Sequence, residues 1–157
     1  MTQPSATEPD WSREAKAFWS WHPSRSLLAS LRAYEHGNAL TKRLAVLRHR
    51  FWSVITGAEI PLGCKIGGGL LLPHPNGVVV HPDARIGPNC LLFQQVTLGS
   101  STRPGAPVLG GHVDVGAGAK LLGNISIGDN ARIGANSVVL SDVEPGATVI
   151  GIPARPV

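Results

Sequence analysis

An aliphatic residue recurs at every sixth position in the second half of the chain: Leu109, Val115, Leu121, Ile127, Ile133 and Val139. Neither the 3.6-residue period of a helix nor the two-residue alternation of an ordinary strand produces that spacing. Four positions after each stands a small or aliphatic residue, namely Val113, Ala119, Ile125, Ala131, Ser137 and Val143, while Gly116, Gly128 and Gly134 directly follow their aliphatic residues. A six-residue repeat of this kind specifies a parallel β-helix, in which each hexad is one flat side of a coil and its aliphatic residue points inward. At three hexads per coil, the regular region supplies about four to five coils.

Traced backwards, the frame runs Ile60, Ile66 and Leu72, slips by two residues, and continues through Val80, Ile86, Leu92 and Leu98. The fourth positions are then Cys64, Leu70, Ala84, Cys90 and Val96, with Asn76 the exception in the slipped repeat. Both cysteines therefore fall on small inward sites, which predicts buried, reduced, structural thiols rather than a disulfide or a nucleophile. The slipped repeat, Leu-Pro-His-Pro-Asn-Gly at 72–77, is irregular where its neighbours are regular, and departures from a repeat on a rigid scaffold are where function is usually placed. A second interruption at about 100–108, rich in Ser, Gly and Pro and carrying Arg103, reads as an extruded loop.

Composition changes at Gly57. Seven of the eight aromatic residues precede it and seventeen of the nineteen glycines follow it, so residues 1–57 and 58–157 are built differently. Residues 1–9 are expected to be disordered. Asp10 is a plausible N-cap for a helix over 11–21, which Pro23 breaks. A second helix is predicted over 24–35, closed by Gly37 in a left-handed cap, and a third from about Asn38 to Gly57. The third carries an apolar stripe of Leu40, Leu44, Leu47, Phe51 and Val54 or Ile55, with Lys42, Arg43, Arg48 and Arg50 opposite. Such a stripe needs a surface, and the open end of a β-helix is expected to supply it.

Residues 1–57 hold eight Lys/Arg against four Asp/Glu and residues 58–157 hold six against six, so the net charge of +4 belongs to the helical segment. At that density it reads as a solvated helical face, not a nucleic-acid site. No apolar run has the length of a membrane span and the N-terminus lacks the order of a signal peptide, so the expected location is the cytoplasm, without stable membrane insertion.

At residues 72–80 (Leu-Pro-His-Pro-Asn-Gly-Val-Val-Val), 95–99 (Gln-Val-Thr-Leu-Gly), 115–124 (Val-Gly-Ala-Gly-Ala-Lys-Leu-Leu-Gly-Asn), 133–139 (Ile-Gly-Ala-Asn-Ser-Val-Val) and 151–155 (Gly-Ile-Pro-Ala-Arg), the chain resembles the hexapeptide-repeat acyltransferases, and within them the serine acetyltransferase-like branch. The resemblance runs from about residue 24 to 157. It implies a mainly β fold, a left-handed parallel β-helix with a short N-terminal α-helical segment, despite the usual right-handed crossover preference. It also implies a homotrimer with active sites at subunit boundaries, and acetyl-CoA as co-substrate lying in a groove between neighbouring helices.

His74 matches the family's catalytic histidine. Acetyl transfer from a thioester to a hydroxyl needs a base near neutrality, which imidazole supplies, and fixed donors for the tetrahedral oxyanion. Without the resemblance, His74 reads as a surface histidine in a Pro-bracketed turn. From the hexad count alone, Gln94 stacks on His74 and is expected to fix its tautomer or the acceptor. For acetyl-CoA, backbone groups around Gly99, Ala117 and Ala135 are expected to line the groove, with Lys120 and Arg155 near the CoA phosphates.

Serine acetyltransferases have an Asp immediately before the catalytic His, where this chain has Pro73, and a second His in the extruded loop, where this chain has Ala106. The helical segment is shorter, and the C-terminal tail that engages cysteine synthase is missing. Asp10 lies one residue out of register with a helical-domain Asp that contacts serine in that family. His81 and His112 lack the spacing of the zinc-type carbonic anhydrases of this fold, so no metal is expected. The first reading is an acetyl-CoA-dependent O-acetyltransferase acting on a hydroxyl of a small molecule or a sugar. The alternatives are serine O-acetylation in cysteine synthesis, opposed by Pro73 and Ala106, and a noncatalytic β-helical scaffold, opposed by the retention of His74.

Overall fold

The computed structural model describes residues 4–17, 19–102 and 104–157; Phe18 and Arg103 lie outside the described residues. Two helices, α1 (Pro23–His36) and α2 (Ala39–Thr56), precede thirteen short strands. In order these are β1 (Lys65–Ile66), β2 (Val79–Val80), β3 (Arg85–Ile86), β4 (Leu91–Leu92), β5 (Thr97–Gly99), β6 (Val108–Leu109), β7 (Asp114–Val115), β8 (Lys120–Leu122), β9 (Ser126–Ile127), β10 (Arg132–Ile133), β11 (Val138–Val139), β12 (Thr148–Gly151) and β13 (Ala154–Pro156).

The strands form three sheets, β1-β3-β6-β9, β13-β12-β10-β7-β4 and β11-β8-β5-β2, so each coil lays one strand in every sheet. Every pair is parallel except β12 with β13. Leu109 pairs with Ile127, Val115 with Ile133 and Leu121 with Val139, which is the hexad frame at three hexads per coil. This is a left-handed parallel β-helix, and its core is the ladder itself: Leu92, Leu98, Val115 and Leu121 are fully buried, as are Val96, Val113 and Ala119 at fourth positions. Each large aliphatic side chain taken out of water contributes about 1.5–3 kcal/mol. Asn89, Gln95, His112, Asn130 and Asn136 hold left-handed backbone (φ 52–61°) at the corners where hexads meet. Asn tolerates that conformation best among residues with a Cβ.

Helix α1 covers the first coil. Leu27, Leu28 and Leu31 join the same buried cluster as Ile60, Ile66 and Leu70, and so remove that end of the barrel from water. Helix α2 behaves differently from the expectation. Its buried residues are Ala45, His49 and Thr56, and it packs on α1, where Ser30 Oγ lies 3.2 Å from His49 Nδ1. The stripe predicted to cover the barrel faces outward, with Leu40 68 %, Leu47 63 % and Val54 82 % exposed. Because α1 already fills the end of the barrel, α2 forms a second layer.

Three expectations for the N-terminal segment are corrected. Residues 5–10 are not a loose tail: the buried Asn89 side chain donates to Ser5 O and Glu8 O (2.7 Å each) and accepts from the Asp10 N–H (2.8 Å). The helix over 11–21 is a single 3-10 turn (Trp11–Arg13), which Asp10 does cap through the Ser12 N–H. Beyond it, Glu14 accepts from the Leu70 N–H and forms a bidentate pair with Arg32, which also donates to Ile66 O and Gly67 O. These contacts hold the chain extended where helix propensity alone favours a longer helix. Gly37 has extended rather than left-handed backbone (φ −80°, ψ 159°), and its lack of a side chain matters sterically, since a Cβ there would stand 2.4 Å from Ala33 O. Gly57 does cap α2 in the left-handed conformation (φ 65°), donating to Ser53 O.

Replacing Asn89 by Ala leaves two carbonyls and one N–H of the arm without their partner, an expected loss of about 1–3 kcal/mol in urea unfolding with reduced amide protection confined to residues 5–14. Burial holds the His49 imidazole below its ordinary pKa. The unfolded chain therefore binds the extra proton, and stability falls as pH drops from about 6.5 toward the depressed folded value. Urea midpoints between pH 7.5 and 5 should decline less steeply in His49→Gln than in the unmodified protein.

Candidate active site

The two-residue slip is resolved within one corner. Below it, Leu71 bridges Leu91; above it, Val79 and Val80 pair with Thr97 and Leu98, and the Gln95 N–H donates to Asn76 O. The ladder is intact on both sides, so the extra length of 73–76 is pushed out of the corner between the β4 and β5 sheets. His74 lies at its tip, exposed. Pro73 and Pro75 on either side restrict the backbone of this excursion. Among the described residues no hydrogen bond or ion pair engages the His74 ring.

The same corner repeats on each coil above. It holds Gln94 on the second coil; the Gly118 N–H donates to Gln94 O, which brings Ala117 onto the third; and the Asn136 N–H donates to Ala117 O, which brings Ala135 onto the fourth. Gln94, Ala117 and Ala135 thus share one corner column, with Asn76, two residues after His74, bonded beneath it. His74 and Gln94 are on adjacent coils but are not hydrogen-bonded to each other, and Gln94 Oε1 is buried with no partner among the described residues. Such an orphaned acceptor is uncommon, because leaving it unpaired costs about 1–3 kcal/mol.

Lys120 stands beside the column on β8, its Nζ donating to Gln95 O (2.5 Å) and Thr97 Oγ1 (3.1 Å). Gly99 and Arg155 are not on the column. Gly99 ends β5 at the far edge of that sheet, where the 100–107 loop departs, and Arg155 is exposed on β13 with its guanidinium on Ala154 O. Within the loop, Ala106 is buried in the core cluster, so the position of the family's second histidine contributes packing.

The remaining candidates have structural surroundings. Cys90 is buried and Cys64 half-buried, both are free thiols, and desolvation raises each pKa to about 11, which leaves little thiolate near neutral pH. His112 Nδ1 lies 2.9 Å from Asn130 Oδ1, and His81 Nδ1 accepts from the Asp83 N–H. Among the described residues, no three His, Cys, Asp or Glu side chains converge on a point. A cavity that sequence reasoning missed adjoins Pro73, lined in part by Arg13, His22 and Arg25; these residues are far from 73 in sequence and no periodicity links them.

Comparison with known proteins agrees with the fold. Residues 106–141 match the bacterial transferase hexapeptide (six repeats) family. A serine acetyltransferase of Synechococcus elongatus is 50 % identical over 105 residues, covering 65 % of this chain and 43 % of that protein. The serine acetyltransferase of Helicobacter pylori strain J99 is 43 % identical over 133 residues, covering 80 % of this chain and 78 % of its own length. Among solved structures, a serine acetyltransferase in complex with CoA superposes with TM-score 0.75 at 38 % identity, over 87 % of this chain and 57 % of that one. Soybean serine acetyltransferase complexed with serine gives TM-score 0.72 at 37 % identity, over 86 % and 56 %. The chain thus spans less than two thirds of several of these proteins, while up to 87 % of its own length is matched. On the hexad ladder, the corner bearing His74 and these identities, the chain belongs to the serine acetyltransferase family of hexapeptide-repeat transferases.

Proposed function

We propose that this protein transfers the acetyl group of acetyl-CoA directly to the hydroxyl of a small acceptor, of which serine is the first to consider. The observation that carries the reading is His74: a histidine on an excursion from an otherwise strict ladder, exposed and without a hydrogen bond or ion pair among the described residues, at the foot of a corner column. The imidazole takes the acceptor's hydroxyl proton as the oxygen attacks the thioester carbonyl. The tetrahedral oxyanion is met by backbone N–H groups, and its collapse expels the CoA thiolate, to which the imidazolium returns the proton. No covalent intermediate on the protein is needed.

Gln94 is a positioning residue in this scheme. Its buried Oε1 lacks a donor among the described residues and lies on the coil above His74, so a His74 N–H pointing to it satisfies both groups and selects the tautomer with a free basic nitrogen. Ala117 and Ala135 keep the column shallow for the pantetheine arm. Lys120, with Gln95 O and Thr97 holding its ammonium, together with Gly99 and Arg155, serves the rest of CoA. Relatives solved with CoA and with serine support this choice of substrates. Pro73 and Ala106, which replace two groups of the serine-handling site, favour a second reading in which the hydroxyl belongs to another small molecule or a sugar.

The reading includes a homotrimer. In one chain the His74 column and the 100–107 loop stand on opposite edges of the β2-β5-β8-β11 sheet, so a groove using both requires two neighbours. The outward stripe of α2 supplies apolar surface of the kind that marks association. No described helix is long and apolar enough to cross a membrane, and the cytoplasm is the proposed location.

Release of CoA thiol from acetyl-CoA in the presence of L-serine or a panel of sugars is the direct assay. His74→Ala should lower kcat by about 10²–10⁴-fold, and unchanged turnover overturns the base assignment. Gln94→Ala should lower kcat by roughly five- to tenfold, the worth of one hydrogen bond, and shift the acidic limb of the pH–rate profile. For the assembly, Leu47→Glu in the exposed stripe should reduce the sedimenting mass from trimer toward monomer.

A further inference from the structure

A cavity of about 280 Å³ opens where α1, the first turn of α2 and the first coil meet, and nothing in the scheme above uses it. Its apolar part is made by Leu28, Leu31 and Ile66, which belong to the buried core cluster, and by the half-buried Tyr34. Its charged part is made by Arg32, Glu35, Lys42 and Lys65. No residue of the His74 excursion or of the corner column above it enters the lining. At about 30 Å³ per water molecule the space equals roughly nine waters, the size of one aromatic ring with a short acidic arm.

The charges of this lining do not cancel. Arg32 is matched by Glu14 at 2.8 Å and by Glu35 at 3.5 Å, and among the described residues no carboxylate stands within ion-pair distance of Lys42 or Lys65. Lys42 Nζ lies 5.7 Å from the centroid of the Tyr34 ring, which keeps the ammonium at the cavity's edge. Lys65, on β1, stands in register with Arg85 on β3, and like charges directly opposed in a sheet repel. Lys42 closes the first turn of an 18-residue helix that has no acidic residue in that turn, where the macrodipole disfavours a cation. An anion held by the two lysines relieves both unfavourable terms. A bare anion would leave the apolar floor wet, whereas one carrying an apolar body covers it.

We infer that this cavity is an effector site for a small organic acid with a compact apolar body, of the size of phenylacetate. Its carboxylate is held by Lys42 and Lys65 and its body lies on Leu28, Leu31 and Ile66. A ligand so placed touches α1, α2 and β1 together, so its binding favours the docked first turn of α2 by mass action. The inference does not rest on acetyl transfer, and the site is separate from the His74 corner.

Calorimetric titration of the full chain with phenylacetate, its neutral amide phenylacetamide, and acetate tests this. Phenylacetate should bind tighter than either by about tenfold or more, since the amide lacks the charge and acetate lacks the apolar body. Lys42→Gln and Lys65→Gln, both at exposed positions, should each weaken phenylacetate about three- to tenfold, and the double variant should lose measurable binding. Lys42→Arg and Lys65→Arg should keep most of it, and His74→Ala should bind as the unmodified protein does. Hydrogen exchange at the Thr41 and Lys42 amides, which donate to Asn38, should slow when phenylacetate is present. Phenylacetate affinity unchanged in the double lysine variant overturns the site, as does an absence of binding at millimolar phenylacetate. Acetate bound as tightly as phenylacetate overturns the part given to the apolar floor and with it the ligand class. Binding lost in His74→Ala and kept in the lysine variants assigns the acid to the His74 corner and overturns the inference.

Discussion

Each coil of this β-helix has to present its inward side chains and its hydrogen-bonding edge at the pitch of the coil beneath, because both the core and the ladder are shared between them. A residue added within a strand would turn every following side chain to the wrong face. Extra length therefore leaves the barrel at corners, and this chain has two such places, at 73–76 and in the loop that follows Gly99. The pairing of Val80 with Leu98 and of Leu98 with Leu121 shows the ladder restored after each. The excursion at His74 is thus a product of the scaffold's strictness: the only way to carry two surplus residues is to set them outside it, and outside is where a base can meet a substrate.

The same strictness governs what could be read from the chain alone. Strands and inward residues follow from counting hexads, because each position on a coil determines the one above it, as in the pairing of Leu109 with Ile127. Gly99 and Arg155 escaped that count: the first adjoins a loop and the second lies on β13, which runs antiparallel to its neighbour. The apolar stripe of α2 was legible as a stripe, yet amphipathicity says that a face is apolar and not which surface it meets. Leu27, Leu28 and Leu31 of α1 took the place assigned to it. The N-terminal arm was illegible in principle, since it depends on single side chains, Asn89 and Glu14, that bond to backbone many residues away and leave no periodic trace. The arginine-lined cavity was hidden for the same reason.

Charge is distributed along similar lines. The β-helix segment is balanced, with six basic and six acidic residues, whereas the excess of base lies in the helical segment. Read from the chain, that excess seemed a solvated surface, and for Arg43, Arg48 and Arg50 on α2 the description holds, since all three are exposed. Arg13, Arg25 and Arg32 are different. All three are partly buried: Arg32 is paired with Glu14, while Arg13 donates to Asn89 O and Arg25 to Ala15 O. An even count of charges by segment conceals this division, which only the packing of the arm against the first coils creates.

That packing has a consequence for the order in which the molecule comes together. Residues 5–14 are made before the segments they bind, for their partners are Leu70, Asn89 and the backbone near them, more than fifty residues later. The arm has nothing to bind until the first two coils are wound, so it waits through most of synthesis and docks late, as contacts of such sequence separation must. The arm reports by its attachment that the coils beneath it are in place.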